Sequence, residues 1–155
     1  MTEEANQAMP DDSGRVPSRP LRVCCYGSSS SRTPPRYTDA AYRLGRALAL
    51  RGHTCVNGAG SSGCMDAMNV GANAAGGRLV GVIHEMFVRE GGDWFEGTSS
   101  VFRPSGEGGT TMGGGVHEIV IARRNDLQER KRLLVVGADA LAVLPGGPGT
   151  WDEVR

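Results

Sequence analysis

The sequence predicts an α/β fold, a doubly wound parallel sheet in a single domain, and three observations carry the prediction. Short apolar runs of strand length alternate along the chain with segments of helical periodicity. Those runs are apolar at successive positions, as expected of strands covered on both faces. Loops rich in glycine or serine follow several of them and lead into the next helix.

Length and composition bound the reading. The 155 residues are enough for one domain with a real core. Basic and acidic residues balance at 17 each, so no global field draws the protein to nucleic acid or to a membrane surface. No apolar run approaches the roughly 20 residues of a membrane span. The N-terminus is polar, carries Pro10, Pro17 and Pro20, and lacks the charged-then-apolar pattern of a signal peptide. Residues 1–19 are therefore read as a disordered leader and 20–155 as the domain. Glu3, Glu4, Asp11 and Asp12 argue against a transit peptide, a weak one being the alternative, and the expected compartment is the cytoplasm. Cys24, Cys25, Cys55 and Cys64 lack the paired spacing of a zinc site, and three of them fall in apolar runs. They read as structural thiols in a reducing compartment, with no metal.

Taken in order, Leu21 to Tyr26 reads as the first strand, followed by Gly27 and the polar loop Ser28 to Ser31. Serines directly after a strand can hydrogen-bond a phosphate or a ribose; a low-complexity run is the plain alternative. From Pro35 to Arg51, residues Ala40, Ala41, Leu44, Ala47 and Leu48 make one helical stripe, with Gly52 as a C-cap. Thr54 to Asn57 is a second strand. Gly58, Gly60 and Gly63 then reproduce a G-x-G-x-x-G spacing ahead of a helix from Cys64 to Ala75. No acidic residue follows at the place that would bind a dinucleotide ribose. The third strand is Leu79 to Ile83, with His84 and Glu85 read as loop. Asp93 to Gly115 is so rich in glycine that it reads as a mobile loop or lid unable to pack a core. Glu118 to Ala122 is a fourth strand, and a helix runs from about Asp126 to Val136.

The chain closes on a fifth strand, Ala140 to Leu144, read as buried. It breaks at Pro145 into a turn with Gly146, Gly147 and Gly149. Thr150 has the side chain of an N-cap, and Asp152 and Glu153 fall in what would be a first helical turn. Glycines that let the backbone close on an anion, beside the positive end of a helix, make a phosphate site. An ordinary strand-to-helix loop would use the same residues. On the preceding helix, Leu127 and Leu134 mark the apolar stripe, Arg130 and Lys131 flank it, and Glu129 and Arg132 point away. Arg130 either aims its fork at a phosphate or carboxylate, or lies along the core boundary paired with Asp126. The loops at Ser28, Gly58 and Pro145 all lie at the C-terminal edge of the sheet, where open parallel sheets bind ligands.

These residues resemble the LONELY GUY family, the cytokinin riboside 5′-monophosphate phosphoribohydrolases often labelled lysine decarboxylase-like. Pro145 to Glu153 fits the family's P-G-G-x-G-T-x-x-E at every fixed position, and Arg130-Lys131 fits its R-K pair. Gly27-Ser28-Ser29-Ser30 is similar to its G-S-S-S loop, and Gly58 to Met65 to its G-G-G-x-x-G-L-M. Ala59, Cys64, Asp66 and Gln128 depart from the pattern, and the insert Gly106–Gly115 is longer than the family's. Members of the family continue past the glutamate with further helices and a strand, so the sequence reads as a truncated gene model or fragment.

The resemblance implies a Rossmann-like fold and a homodimer; the sequence holds no metal-ligand cluster, so activity is expected without a cofactor and in EDTA. The resemblance further implies hydrolysis of the N-glycosidic bond of a cytokinin nucleoside 5′-monophosphate or AMP, giving free base and ribose 5-phosphate. Gly146, Gly147, Gly149 and Thr150, with Lys131, would hold the phosphate, and Ser28 or Gly60 would complete the pocket. Glu153, kept ionised by the helix dipole, would stabilise the cationic sugar or activate water, and Arg130 would orient the substrate or assist the leaving base. Lys131 is the chain's only lysine, and nothing around it makes a pyridoxal site. A non-catalytic nucleotide sensor or carrier, and an inactive fragment, are the alternatives.

Overall fold

Five strands, β1 (Arg22–Tyr26), β2 (Thr54–Asn57), β3 (Arg78–His84), β4 (Val116–Ala122) and β5 (Ala140–Val143), interleave with four helices. The helices are α1 (Pro35–Leu50), α2 (Gly63–Ala74), α3 (Gln128–Val135) and α4 (Pro148–Val154). The computed structural model describes residues 19–85, 99–102, 116–123 and 127–154, excepting the side chains of Ser100, Val116, Glu153 and Val154.

All strand pairs are parallel, and the order across the sheet is β4-β3-β2-β1-β5. The chain steps outward from β1 to β4, then returns to lay β5 on the free side of β1. That reversal is a topological switch point, where the loops leaving two neighbouring strands diverge and open a crevice at the C-terminal edge. The predicted α/β class holds.

Side chains alternate across the sheet and make two cores. Val23, Cys25, Cys55 and Leu79 face α1 and α2, with Met68 and Ala72 packed on them. Cys24, Tyr26, Val56, Val80 and Val82 face α3, whose Leu134 is buried among them. All four cysteines are free and buried. A hydrogen bond to Cys55 and burial push the Cys25 thiol up, so it stays protonated and packs as a small apolar group. Helices α1 and α2 approach until backbone meets backbone: a methyl on Gly45 would collide with the Met68 carbonyl, and one on Gly71 with the Tyr42 carbonyl. Arg51 is the C-cap of the first helix, and Gly52, expected there from the sequence, follows it at φ +74° and turns the chain out of the helix.

Several expectations are corrected. β3 runs on through His84, which is buried, because its ladder with β4 extends to His84↔Ala122 and gives that backbone a partner. α3 starts at Gln128 and leaves Leu127 exposed, so the apolar stripe rests on Leu134 rather than on both. Glu129 does not simply point away: it pairs with Arg132 at 2.9 Å, its side chain mostly covered. β5 was expected to be buried, yet Leu141 and Val143 stay 55% and 49% exposed. They share the face of Cys24 and Tyr26, but α3 covers only the inner strands. Within the stretch expected to pack no core, Ser99 is fully buried and Phe102 joins the core beside Gly81. The remainder of that stretch, including the Gly106–Gly115 insert, lies outside the described residues, as does the leader except Arg19.

Asp139 fastens the start of the β1–β5 pair. Its carboxylate accepts from the Arg22 N–H at 2.8 Å and from the Arg19 guanidinium at 2.6 Å. Its own N–H donates to the Arg22 carbonyl at 2.8 Å. The bond from Arg19, then that from Arg22, hold its carboxyl down at about 2. A depressed carboxyl stabilises the fold above its ordinary value and loses that contribution as pH falls through the folded one. Carboxyl-carbon NMR should therefore show Asp139 titrating near 2, with the midpoint rising in Arg19→Gln. At the helix crossing, Gly71→Ala forces two backbones apart and should cost about 3 kcal/mol in urea unfolding.

Candidate functional site

The turn after β5 begins in register with β1. The Leu144 N–H donates to the Tyr26 carbonyl at 2.8 Å, and the Ser28 N–H donates to the Pro145 carbonyl at 3.1 Å. The last loop and the first are thereby joined across the switch point. α4 then starts at Pro148, whose missing N–H and preset φ suit the first helical position. Gly147 is the residue that caps it: its carbonyl accepts from the Thr150 N–H at 3.1 Å and from the Trp151 N–H at 3.4 Å.

Thr150 is consequently inside the helix rather than at its N-cap. It is buried, and its side chain lies so close to Gly146 that any Cβ there would strike Oγ1. Asp152 and Glu153 move out of the first turn with it. The dipole acts within that turn, so it no longer accounts for an ionised Glu153. The N–H groups of Gly146, Gly147 and Gly149 find no acceptor among the described residues. Main-chain donors left open at a turn are what an anion requires.

The Ser28 loop is bound into itself. Ser28 Oγ accepts from the Ser30 N–H at 3.1 Å and lies 2.7 Å from Thr33 Oγ1. Its carbonyl accepts from the Met65 N–H at 3.2 Å. A cleft of about 280 Å³ opens between this loop and the closing turn, lined by Ser28, Ser30, Arg32, Tyr37 and Gly146 among others. On the far side of Gly146 lies a wider cavity of about 610 Å³, lined by Gly147, Trp151 and Asp152.

The turn after β2 is built on a buried amide pair that sequence reading missed. Asn57 and Asn69 are fully buried; Asn57 Nδ2 donates to Asn69 Oδ1 at 2.7 Å, and the Ala59 N–H donates to Asn57 Oδ1 at 2.8 Å. An asparagine inside each of two apolar segments was the available signal. Ala59 sits at φ +60°, a left-handed conformation costing about 1 kcal/mol for a residue with a Cβ. The Ser99 N–H donates to the Ala59 carbonyl at 2.7 Å, and Ser99 Oγ donates to Asp66 at 2.5 Å. So Ala59 and Asp66, two departures from the resembled pattern, are knit together through Ser99. The Gly60 N–H donates to Met65 Sδ at 2.8 Å and is thus engaged within the turn.

Arg130 reaches from α3 under the ends of two strands. Its Nε donates to the Val82 carbonyl at 3.1 Å and its Nη2 to the Gly58 carbonyl at 3.4 Å. The fork approaches Gly58 so closely that a methyl there would displace it. Lys131, the neighbouring residue, turns the other way: its ammonium lies 2.7 Å from the Asp152 carboxylate on α4. The structure thus brings Arg130 to Gly58, Lys131 to α4, and Ser28 to the closing turn. Glu153 lies in α4, and its side chain is outside the described set, as is Asp126.

A family model described as the SLOG cluster4 family matches residues 20–155. The chain is 34% identical over 152 residues to a probable cytokinin riboside 5′-monophosphate phosphoribohydrolase, LOGL9, of Oryza sativa subsp. japonica, covering 98% of this chain and 58% of that protein. It is 31% identical over 137 residues to the cytokinin riboside 5′-monophosphate phosphoribohydrolase LOG7 of Arabidopsis thaliana, covering 88% and 54%. The chain spans little more than half the length of these curated relatives. Among solved structures, the molybdenum cofactor binding protein from the phototrophic bacterium Rippkaea orientalis has a TM-score of 0.64 at 20% identity, over 89% of this chain and 70% of that one. That likeness is one of fold alone.

Because the colliding atom is the end of a flexible side chain, Gly58→Ala should be accommodated by expelling the Arg130 fork, at a cost of about 1–3 kcal/mol for its lost bonds to the Val82 and Gly58 carbonyls. Chemical denaturation checks the cost. A shifted, faster-exchanging Arg130 Nε–H resonance checks the displacement.

Proposed function

We propose that this chain, which belongs to the SLOG cluster4 family, binds a nucleoside 5′-monophosphate at the switch point and hydrolyses its N-glycosidic bond. The products are a free base and ribose 5-phosphate. The observation that carries the reading is the closing turn, where Gly146, Gly147 and Gly149 present N–H groups with no acceptor among the described residues. The turn lies on a P-G-G-x-G-T-x-x-E motif, and the curated relatives named above are phosphoribohydrolases.

In this reading the glycine N–H groups take the phosphate, and the Ser28 loop closes the other wall. Water adds to the anomeric carbon as the bond from that carbon to the base nitrogen breaks, and the base leaves with a proton. Positive charge builds on the sugar along the way, as in other glycoside hydrolyses. Glu153 supplies the carboxylate that stabilises this charge or takes the proton from water. Arg130, its fork fixed by two main-chain carbonyls, keeps its charge at the sheet edge, where it orients the substrate or receives the departing base. Lys131 and Asp152 brace α4 against α3 and so set where Glu153 stands. We take the protein to be cytoplasmic and homodimeric. Four free thiols fit the first, and the exposed Leu141, Val143 and Trp151 fit a second copy.

Incubation with AMP and with isopentenyl-AMP, followed by chromatography, should release adenine or isopentenyladenine, at a rate unchanged by EDTA. Glu153→Gln should lower that rate by roughly a hundredfold or more. Hydrolysis that survives Glu153→Gln would remove Glu153 from the chemistry, and no base from either nucleotide would sink the enzymatic reading.

A further inference from the structure

Four basic side chains stand near the switch-point crevice, and the structure commits three of them. Arg130 donates to the Val82 and Gly58 carbonyls. Lys131 is paired with Asp152. Arg36 lies over the Tyr37 ring, 4.6 Å from its centroid, and donates to its hydroxyl at 2.9 Å. Arg32 differs: only its main-chain N–H is engaged, by Ser30 Oγ at 3.2 Å, and its guanidinium meets no partner among the described residues.

Arg32 lines the cleft that Ser28, Ser30 and Gly146 also line. The loop that carries it is held from several sides. Ser28 is tied to Pro145 and Met65 through its main chain, and Thr33 donates to the Ser30 carbonyl through both its N–H, at 3.1 Å, and its hydroxyl, at 2.7 Å. The base of the Arg32 side chain is therefore placed before any ligand arrives, and only the outer part of the side chain has to be ordered. At about 280 Å³ the cleft is small for a whole nucleotide but ample for a phosphate ester.

Charge decides what the cleft needs. A phosphate monoester carries nearly two negative charges at neutral pH. Of the closing turn, Pro145 and Gly146 line this cleft, and the Gly146 N–H, a neutral donor, leaves that charge uncompensated. A guanidinium across the cleft supplies it, with a planar fork that matches two phosphate oxygens.

We propose that Arg32 is the cation that binds the phosphate dianion of the ligand, closing on it from the Ser28 loop opposite Pro145 and Gly146. This assigns a specificity-determining residue to the site and selects phosphorylated over unphosphorylated nucleosides. It rests on the nucleotide reading given above.

The test is calorimetric titration of the full chain with ribose 5-phosphate, AMP and adenosine, using wild type, Arg32→Gln and Arg36→Gln. Arg32 and Arg36 are exposed, so their replacement should leave the circular dichroism unchanged. Arg32→Gln should weaken ribose 5-phosphate and AMP by the same factor, roughly tenfold or more, and leave adenosine untouched. Arg36→Gln should stay within about threefold of wild type for both phosphates. Arg32→Gln binding ribose 5-phosphate as wild type does would overturn the proposal, as would an equal loss in Arg36→Gln. Wild type that binds neither phosphate would instead overturn the nucleotide reading, and the role of Arg32 with it.

Discussion

The hydrogen bond from the Ser28 N–H to the Pro145 carbonyl ties the first loop of the sheet to the last. It can form only because β5 returns to pair with β1, against the outward progression of the other strands. Were β5 appended beyond β4, three strands would lie between the glycine turn and the serine loop and the two could not line one crevice. Parallel pairing matters equally, since it delivers every loop discussed here to one edge. A single reversal in strand order thus determines which residues can share a ligand.

Close approach of main chain is the second constraint, and it recurs at each level. The α1–α2 crossing depends on Gly45 and Gly71 meeting carbonyl oxygens, which sets how tightly that layer covers the sheet. At the edge, Gly58 makes room for the Arg130 fork and Gly146 for the Thr150 side chain. The two kinds of glycine differ in consequence. Those facing backbone protect the fold, whereas Gly58 protects the placement of the Arg130 side chain.

Polar groups at the edge are distributed so that some are consumed and others remain. The Asn57–Asn69 pair is buried, and an unpaired amide there would cost about 1–3 kcal/mol, so both must be present together. What the pair secures is the turn whose Gly58 carbonyl receives Arg130. Lys131 leaves in the opposite direction to meet α4, so adjacent residues of one motif serve two elements. The Gly60 and Ser28 N–H groups, both in loops expected to bind phosphate, are spent on internal bonds. The three glycine N–H groups of the closing turn meet no acceptor among the described residues.

Strand and helix placement was legible because buried strands need apolar runs and helices need a periodic stripe, and both are local patterns. The G-x-G-x-x-G turn, the R-K pair and the P-G-G-x-G-T-x-x-E turn are local as well. By themselves these patterns determined an α/β chain with glycine- and serine-rich turns at the strand ends. Tertiary structure decided the rest. The sequence placed Thr150 at the N-cap, but Pro148 starts the helix two residues earlier and moves Glu153 out of the first turn. His84 read as loop until β4 offered it a ladder partner. The apolar β5 read as covered, and only the extent of α3 shows that it is not. Which basic residue is paired and which is left to face the cleft depends on distances between segments as much as a hundred residues apart in the chain. Such distances follow from strand order, and no periodicity along the chain encodes it.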